Sequence, residues 1–193
     1  TAVDRQIELY SAKRLEEMFE HLKKHSTLSA FEERYLARMQ VIVQKIKEAE
    51  KNIVYNDFKD KEGDLINGYL QRKTKDAIFV DLGKTEGILP AREQSPLEHF
   101  KTGERIKALV LSVQKNTKGP SVVLSRANTK FIQKLFEMEI PEVYDGVVQI
   151  VNIVREPGLR TKVAVVSERD DVDGVGACVG MKGIRIQPIV REL

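Results

Sequence analysis

The feature that most constrains this chain is a change of hydrophobic period across residues 56–64. Upstream, apolar residues recur every three or four positions; downstream they alternate one in two. Helices and strands bury their faces at these two different spacings, so the two stretches must belong to different architectures. The switch falls on Asn56-Asp57-Phe58-Lys59-Asp60-Lys61-Glu62-Gly63-Asp64, polar enough to end a helix and join two domains. Five strand candidates follow, at 65–72, 77–82, 87–89, 105–114 and 121–125. Turn residues at Lys75-Asp76, Gly83-Lys84 and 116–120 separate them, with one longer connection, 90–102, between the third and fourth. Five strands within about 65 residues predict a small closed β-barrel of the OB type over 62–126.

Barrels of this type bind oligonucleotides on one face, with aromatic side chains for stacking and cations for the backbone. Candidates for that face are Tyr69, Phe79, His99 and Phe100, ringed by Arg72, Lys73, Lys75, Arg92 and Lys107. Any one of these aromatics serves equally well as an ordinary strand residue, and Tyr69 or Phe79 as core. The distribution of charge favours binding. Residues 61–126 hold 12 basic and 8 acidic side chains, whereas the segments on either side are close to balanced. A basic stretch of this kind suits a polyanion.

Residues 1–61 read as a helical domain. Ile7, Leu15, Met18, Phe19 and Leu22 mark one amphipathic helix over 5–24. Ser29-Ala30-Phe31-Glu32 has capping-box spacing and starts a second. Its stripe is Phe31, Tyr35, Met39, Ile42, Val43, Ile46 and Ala49, sustained to about Asn52. A stripe of this length belongs in a core first and against a partner helix second. His21 and His25 are one turn apart, but on so charged a helix they read as surface residues rather than metal ligands.

Residues 127–193 predict a helix over 128–139 ended by Pro141, then strands at 147–154 and 161–167 joined by Glu156-Pro157-Gly158. A helix at 174–179, a Gly-x-x-Gly loop and a last helix with apolar residues 186, 189, 190 and 193 complete the segment. The order α-β-β-α-α follows a bacterial-type KH domain, whose loop clamps a short run of backbone nucleotides. Two glycines three apart permit a tight turn with no Cβ in the way. Gly180, Met181, Lys182, Gly183 and Arg185 are therefore the candidate phosphate clamp. The final KH strand is missing, so the domain is expected to be incomplete, with an open sheet edge.

Several stretches resemble known families. Gly68-Tyr69, Ala77-Ile78-Phe79-Val80-Asp81-Leu82-Gly83, Glu86-Gly87-Ile88-Leu89-Pro90, Gly103-Glu104-Arg105-Ile106 and Val122-Val123-Leu124-Ser125-Arg126 are similar to a ribosomal-protein-S-one-type RNA-binding domain. Residues 41–50, Glu139-Ile140-Pro141-Glu142-Val143, 155–165 and 175–183 resemble the bacterial transcription factor family NusA. That resemblance covers about residues 40–193. It implies an N-terminal domain that contacts RNA polymerase, and barrel and KH domains that bind nascent single-stranded RNA. It also implies work alongside other elongation and antitermination factors in pausing, termination and antitermination. Residues 1–39 lack the small sheet that the family's head would have.

Other chemistry fits less well. Gly174-x-Gly176-x-x-x-Gly180 follows an acidic loop rather than a buried strand, which argues against a dinucleotide fingerprint. Asp170, Asp171 and Asp173 lack a distant carboxylate or His to complete a two-metal site. Cys178 has no His in its own domain to activate it, and a lone cysteine excludes an internal disulfide while fitting a reducing cytoplasm. No apolar run reaches bilayer length. The expectation is a cytoplasmic, monomeric, non-enzymatic α+β multidomain RNA-binding protein without cofactor, metal or membrane association. The alternatives are a protein-interaction scaffold, or an RNA-binding module of a processing or degradation assembly. In an exoribonuclease of that kind, the KH module would precede the barrel.

Overall fold

A computed structural model describes residues 17, 20–21, 30–116 and 119–193. The expected helix over 5–24 and its apolar face lie almost wholly outside these residues, as does His25; His21 is exposed in a helical segment. The chain divides into two compact units, 1–54 and 55–193. In the first, helix α1 (Ala30–Lys59) buries Val43, with Met39 and Ile46 half-buried, while Ile42 and Ala49 of the expected stripe are exposed. The helix runs beyond Asn52 because the supposed junction still supplies an apolar anchor: Phe58 is 2% exposed. Asp57 pairs with Lys84 at 2.5 Å, and Glu62 accepts from the Val113 N–H at 2.5 Å, fastening the end of the helix to the barrel.

The barrel consists of β1 (Leu65–Lys73), β2 (Ala77–Asp81), β3 (Glu86–Pro90), β4 (Arg105–Asn116) and β5 (Gly119–Ser125). Pairing in the order β1-β2-β3-β5-β4, with β4 returning to β1, closes the sheet on itself. Only β3–β5 is parallel. Alternation sends Leu70, Ile78, Val80, Leu89, Ile106, Ala108, Val110, Val122 and Leu124 inward, all at most 2% exposed. Each such side chain contributes roughly 1.5–3 kcal/mol by burial, so the barrel interior is the chief source of its stability.

After a three-residue connector come α2 (Thr129–Glu139), α3 (Pro141–Tyr144), β6 (Val148–Glu156), β7 (Arg160–Ser167), α4 (Gly174–Val179) and α5 (Ile186–Glu192). Asn128 caps α2 by accepting from the Lys130 N–H at 2.8 Å. Pro141 does not merely stop α2: it occupies the first turn of α3, where its missing N–H costs nothing. Phe131, Ile132, Leu135 and Phe136 of α2 form one core with Ile140, Val148, Cys178 and Ile189. Val190, expected on the apolar face of α5, is instead 59% exposed. Leu109 of β4 belongs to that same core, and Leu65 of β1 packs on it. Barrel and KH segment therefore share hydrophobic packing. No described helix is long and apolar enough to cross a membrane.

Candidate nucleic-acid interface

Alternation leaves Phe79 pointing out of the barrel between buried Ile78 and Val80, half-buried rather than core. Its cross-strand partner on β1 is Arg72, because Gln71 is an extra residue: Leu70 pairs with Val80 and Arg72 with Phe79. That bulge re-aims Arg72 onto the outer face. Its guanidinium lies 4.0 Å from the centre of the Phe79 ring and is pinned there by Glu86 of β3 at 2.9 Å. Tyr69, earlier on β1, is 59% exposed and faces Arg105 of β4 across the ladder. The result is an outward platform of a ring topped by a guanidinium plane, with an open tyrosine beside it. Planar groups of both kinds stack nucleobases.

One end of this face is basic. The Ala91 N–H donates to the Asp76 carbonyl at 2.9 Å, drawing the 3₁₀ turn Ala91–Glu93 against the β1–β2 turn. Lys73 and Lys75 are exposed at that turn, and the Arg92 side chain is 80% exposed, only 3.8 Å from Glu93. Three further candidates go elsewhere. His99 is exposed in the long β3–β4 connection. Phe100 is half-buried beside the Arg126 guanidinium, 5.2 Å from ring centre to charge. Lys107 is half-buried with its ammonium 3.8 Å from Glu192. These residues line or approach the seam with the KH segment rather than the stacking platform.

The glycine loop is held by backbone geometry. Gly180 (φ 71°) and Gly183 (φ 78°) occupy conformations open to glycine, and Lys182 between them is left-handed as well (φ 54°, ψ 25°). A left-handed lysine costs about 1–2 kcal/mol, a strain carried where the side chain and the turn are exposed. Met181 is 88% exposed and Ile184 72%, so the loop offers an apolar ledge beside its one free cation, Lys182. Arg185 turns away from solvent. Its Nη1 donates to both oxygens of Glu142 and to the Ala177 carbonyl, at 2.8, 2.8 and 2.9 Å. The guanidinium holds the Glu142 carboxyl below the ordinary carboxylate range. Arg185 thus braces the loop from beneath instead of adding charge to its rim.

Asp173 accepts from the Val175 N–H as the cap of α4, and Asp171 pairs with Arg169. The acidic loop is thereby used locally, and the described residues hold no cluster of metal-ligating side chains. Burial pushes the Cys178 thiol up, away from the nucleophilic thiolate.

The description "S1 RNA binding domain" matches residues 59–125, and "NusA-like first KH domain" matches residues 126–193. The transcription termination/antitermination protein NusA of Halalkalibacterium halodurans is 48% identical over 154 residues, covering 80% of this chain and 40% of the relative. That of Bacillus subtilis is 46% identical over 154 residues, covering 80% and 42%. The chain belongs to the NusA family. The NusA of Rickettsia prowazekii extends the match to 180 residues at 40% identity, 92% of this chain and 35% of the relative. The chain thus spans about two fifths of the length of these curated relatives.

Three residues that matter to the arrangement carry no signal in spacing. Arg126, just after β5, is 2% exposed between barrel and KH segment. Burial works against its charge, but Glu98 and Glu192 outweigh that and raise its pKa above the ordinary arginine range. Gly158 (φ 79°), in the β6–β7 turn, sits so close to the β3–β4 connection that a Cβ there would meet Ser95 Oγ at 2.8 Å. Glu142, in α3, is the acceptor that turns Arg185 inward. Only Gly158 was legible, as part of a turn, and not as a contact.

Proposed function

We propose that this chain is an RNA-binding part of a transcription factor that acts in termination and antitermination. Its barrel face and its glycine loop hold single-stranded nascent RNA. The segment before the barrel docks on RNA polymerase, in company with other elongation and antitermination factors. Holding polymerase and transcript at once raises the effective concentration of each weak contact, which is how such a factor influences pausing. The observation that carries the RNA reading is the Arg72–Phe79 stack on the outer barrel wall, with open Tyr69 beside it and Lys73, Lys75 and Arg92 at the adjoining end. In this reading Gly180, Met181, Lys182 and Gly183 form the backbone clamp, and Arg185 supports it indirectly through Glu142.

The test is fluorescence anisotropy of the full chain with labelled single-stranded RNA, repeated with Gly183→Asp. A carboxylate beside the phosphate path should weaken binding about three- to tenfold without lowering the melting temperature by more than the strain of a non-glycine residue at that φ. Unchanged affinity removes the loop from the site. Capture of RNA polymerase by the full chain after ribonuclease treatment tests the docking half, and capture that depends on intact RNA overturns it.

A further inference from the structure

The barrel ends at Ser125 and α2 begins at Thr129, so the three-residue connector leaves the angle between the two surfaces to side-chain contacts. Arg126 in that connector makes five hydrogen bonds. Nε and Nη2 donate to the two oxygens of Glu98 at 2.6 and 2.9 Å. Nη1 donates to the Lys107 carbonyl of β4 at 2.5 Å and to Glu192 Oε1 at 2.8 Å. Nη2 also reaches the Glu192 main-chain carbonyl at 2.5 Å. The guanidinium sits 5.2 Å from the Phe100 ring and 4.9 Å from that of Phe131, one from each side of the seam. Its acceptors are equally divided in origin: Glu98 and Lys107 belong to the barrel, Glu192 to the end of α5.

The helix α5 is the element that leaves the glycine loop. At 1.5 Å per residue its seven residues carry the loop about 10 Å from the fixed end, so the grip on Glu192 determines where the loop stands relative to β1 and β2. Gly158 against Ser95 supplies a second contact across the same seam but holds the β6–β7 turn, not the loop.

We propose that Arg126 is the positioning residue that sets the offset between the barrel face and the glycine loop, so that one RNA strand engages both. This rests on the RNA-binding reading above. A preset offset lets the second contact form without a further ordering cost, so the benefit appears only for RNA long enough to touch both surfaces. Lysine keeps the charge but presents a single ammonium in place of a planar fork, and cannot hold both carboxylates and both carbonyls.

The experiment compares two single-stranded RNAs of the same composition, one of about 6 nucleotides that fills one surface and one of about 24 that spans both. In the unaltered chain the longer RNA binds at least about 30-fold tighter. Arg126→Lys is expected to weaken the long RNA about tenfold while the short one stays within about twofold. Glu192→Gln, at the solvent-reaching edge of the lock, shifts the ratio in the same direction by about threefold, and decides alone if Arg126→Lys does not melt cooperatively. Equal losses at both lengths, or an unchanged ratio, overturn the positioning role. An unaltered chain that binds both lengths equally also overturns it while leaving the RNA reading intact. If it binds neither, the RNA reading itself falls and the inference with it.

Discussion

The barrel face carries its chemistry on side chains, whereas the glycine loop carries it in the backbone. At the barrel, Phe79, Arg72 and Tyr69 project from two strands, and Lys73, Lys75 and Arg92 stand exposed at one end. At the loop, three consecutive left-handed or glycine conformations shape the turn, Lys182 is the exposed cation, and Arg185 is committed to Glu142. A basic residue beside a glycine turn is therefore not automatically a phosphate ligand. Its direction depends on whether a carboxylate lies beneath it, and a charge-assisted bidentate pair of this kind outcompetes hydration. The difference teaches that bulk attraction to a polyanion resides in the barrel, and register along the strand in the loop.

The strongest way to break this comparison is to strip the barrel of its end charges. Replacing Lys73, Lys75 and Arg92 together by Gln should lower affinity for single-stranded RNA about 100-fold at low salt, and flatten the log–log salt dependence by about 2. An unchanged slope would move the attraction elsewhere. The platform is next. Phe79→Ala should cost about 1–3 kcal/mol of binding if a base stacks on the ring or on the Arg72 plane above it. A loss confined to thermal stability would make Phe79 a support for Arg72 and nothing more. At the loop, Lys182→Gly should weaken binding about fivefold, the worth of one phosphate contact, without lowering the melting temperature because it relieves the left-handed strain. If stability falls, the lysine side chain is packing rather than contacting solvent.

The smallest effect concerns the brace beneath the loop. The folded protein holds the Glu142 carboxyl below its ordinary value of 4.5, so the unfolded chain takes up the proton first. The stability this pair contributes is complete above that value and is lost as pH falls through the lower folded one. Glu142→Gln should therefore reduce stability at neutral pH and flatten its decline in acid. The pair is part-exposed, so the melting temperature should move by only a few degrees.

Much of the architecture was legible from spacing. Period-two runs bounded by turn residues marked all five barrel strands to within one or two residues at most ends, because each strand has one buried face and one wet one. The end of α1 was not, since a single buried phenylalanine in a polar run extended the helix by several residues. Among candidate binding residues, Tyr69, Arg72 and Phe79 come together, while Phe100 and Lys107 are drawn into the seam by Arg126 and Glu192.

Local sequence determined the strands, the helices and the shape of the glycine loop, because period, proline and glycine act within a few residues of themselves. Tertiary structure decided what each charge does. A single bulged residue at Gln71 places Arg72 over Phe79, and carboxylates 28 and 66 residues away bury Arg126. Another, 43 residues upstream, turns Arg185 from the solvent. A cation's partner is whichever carboxylate the fold brings within hydrogen-bonding reach, and that distance is not written in the spacing of the chain.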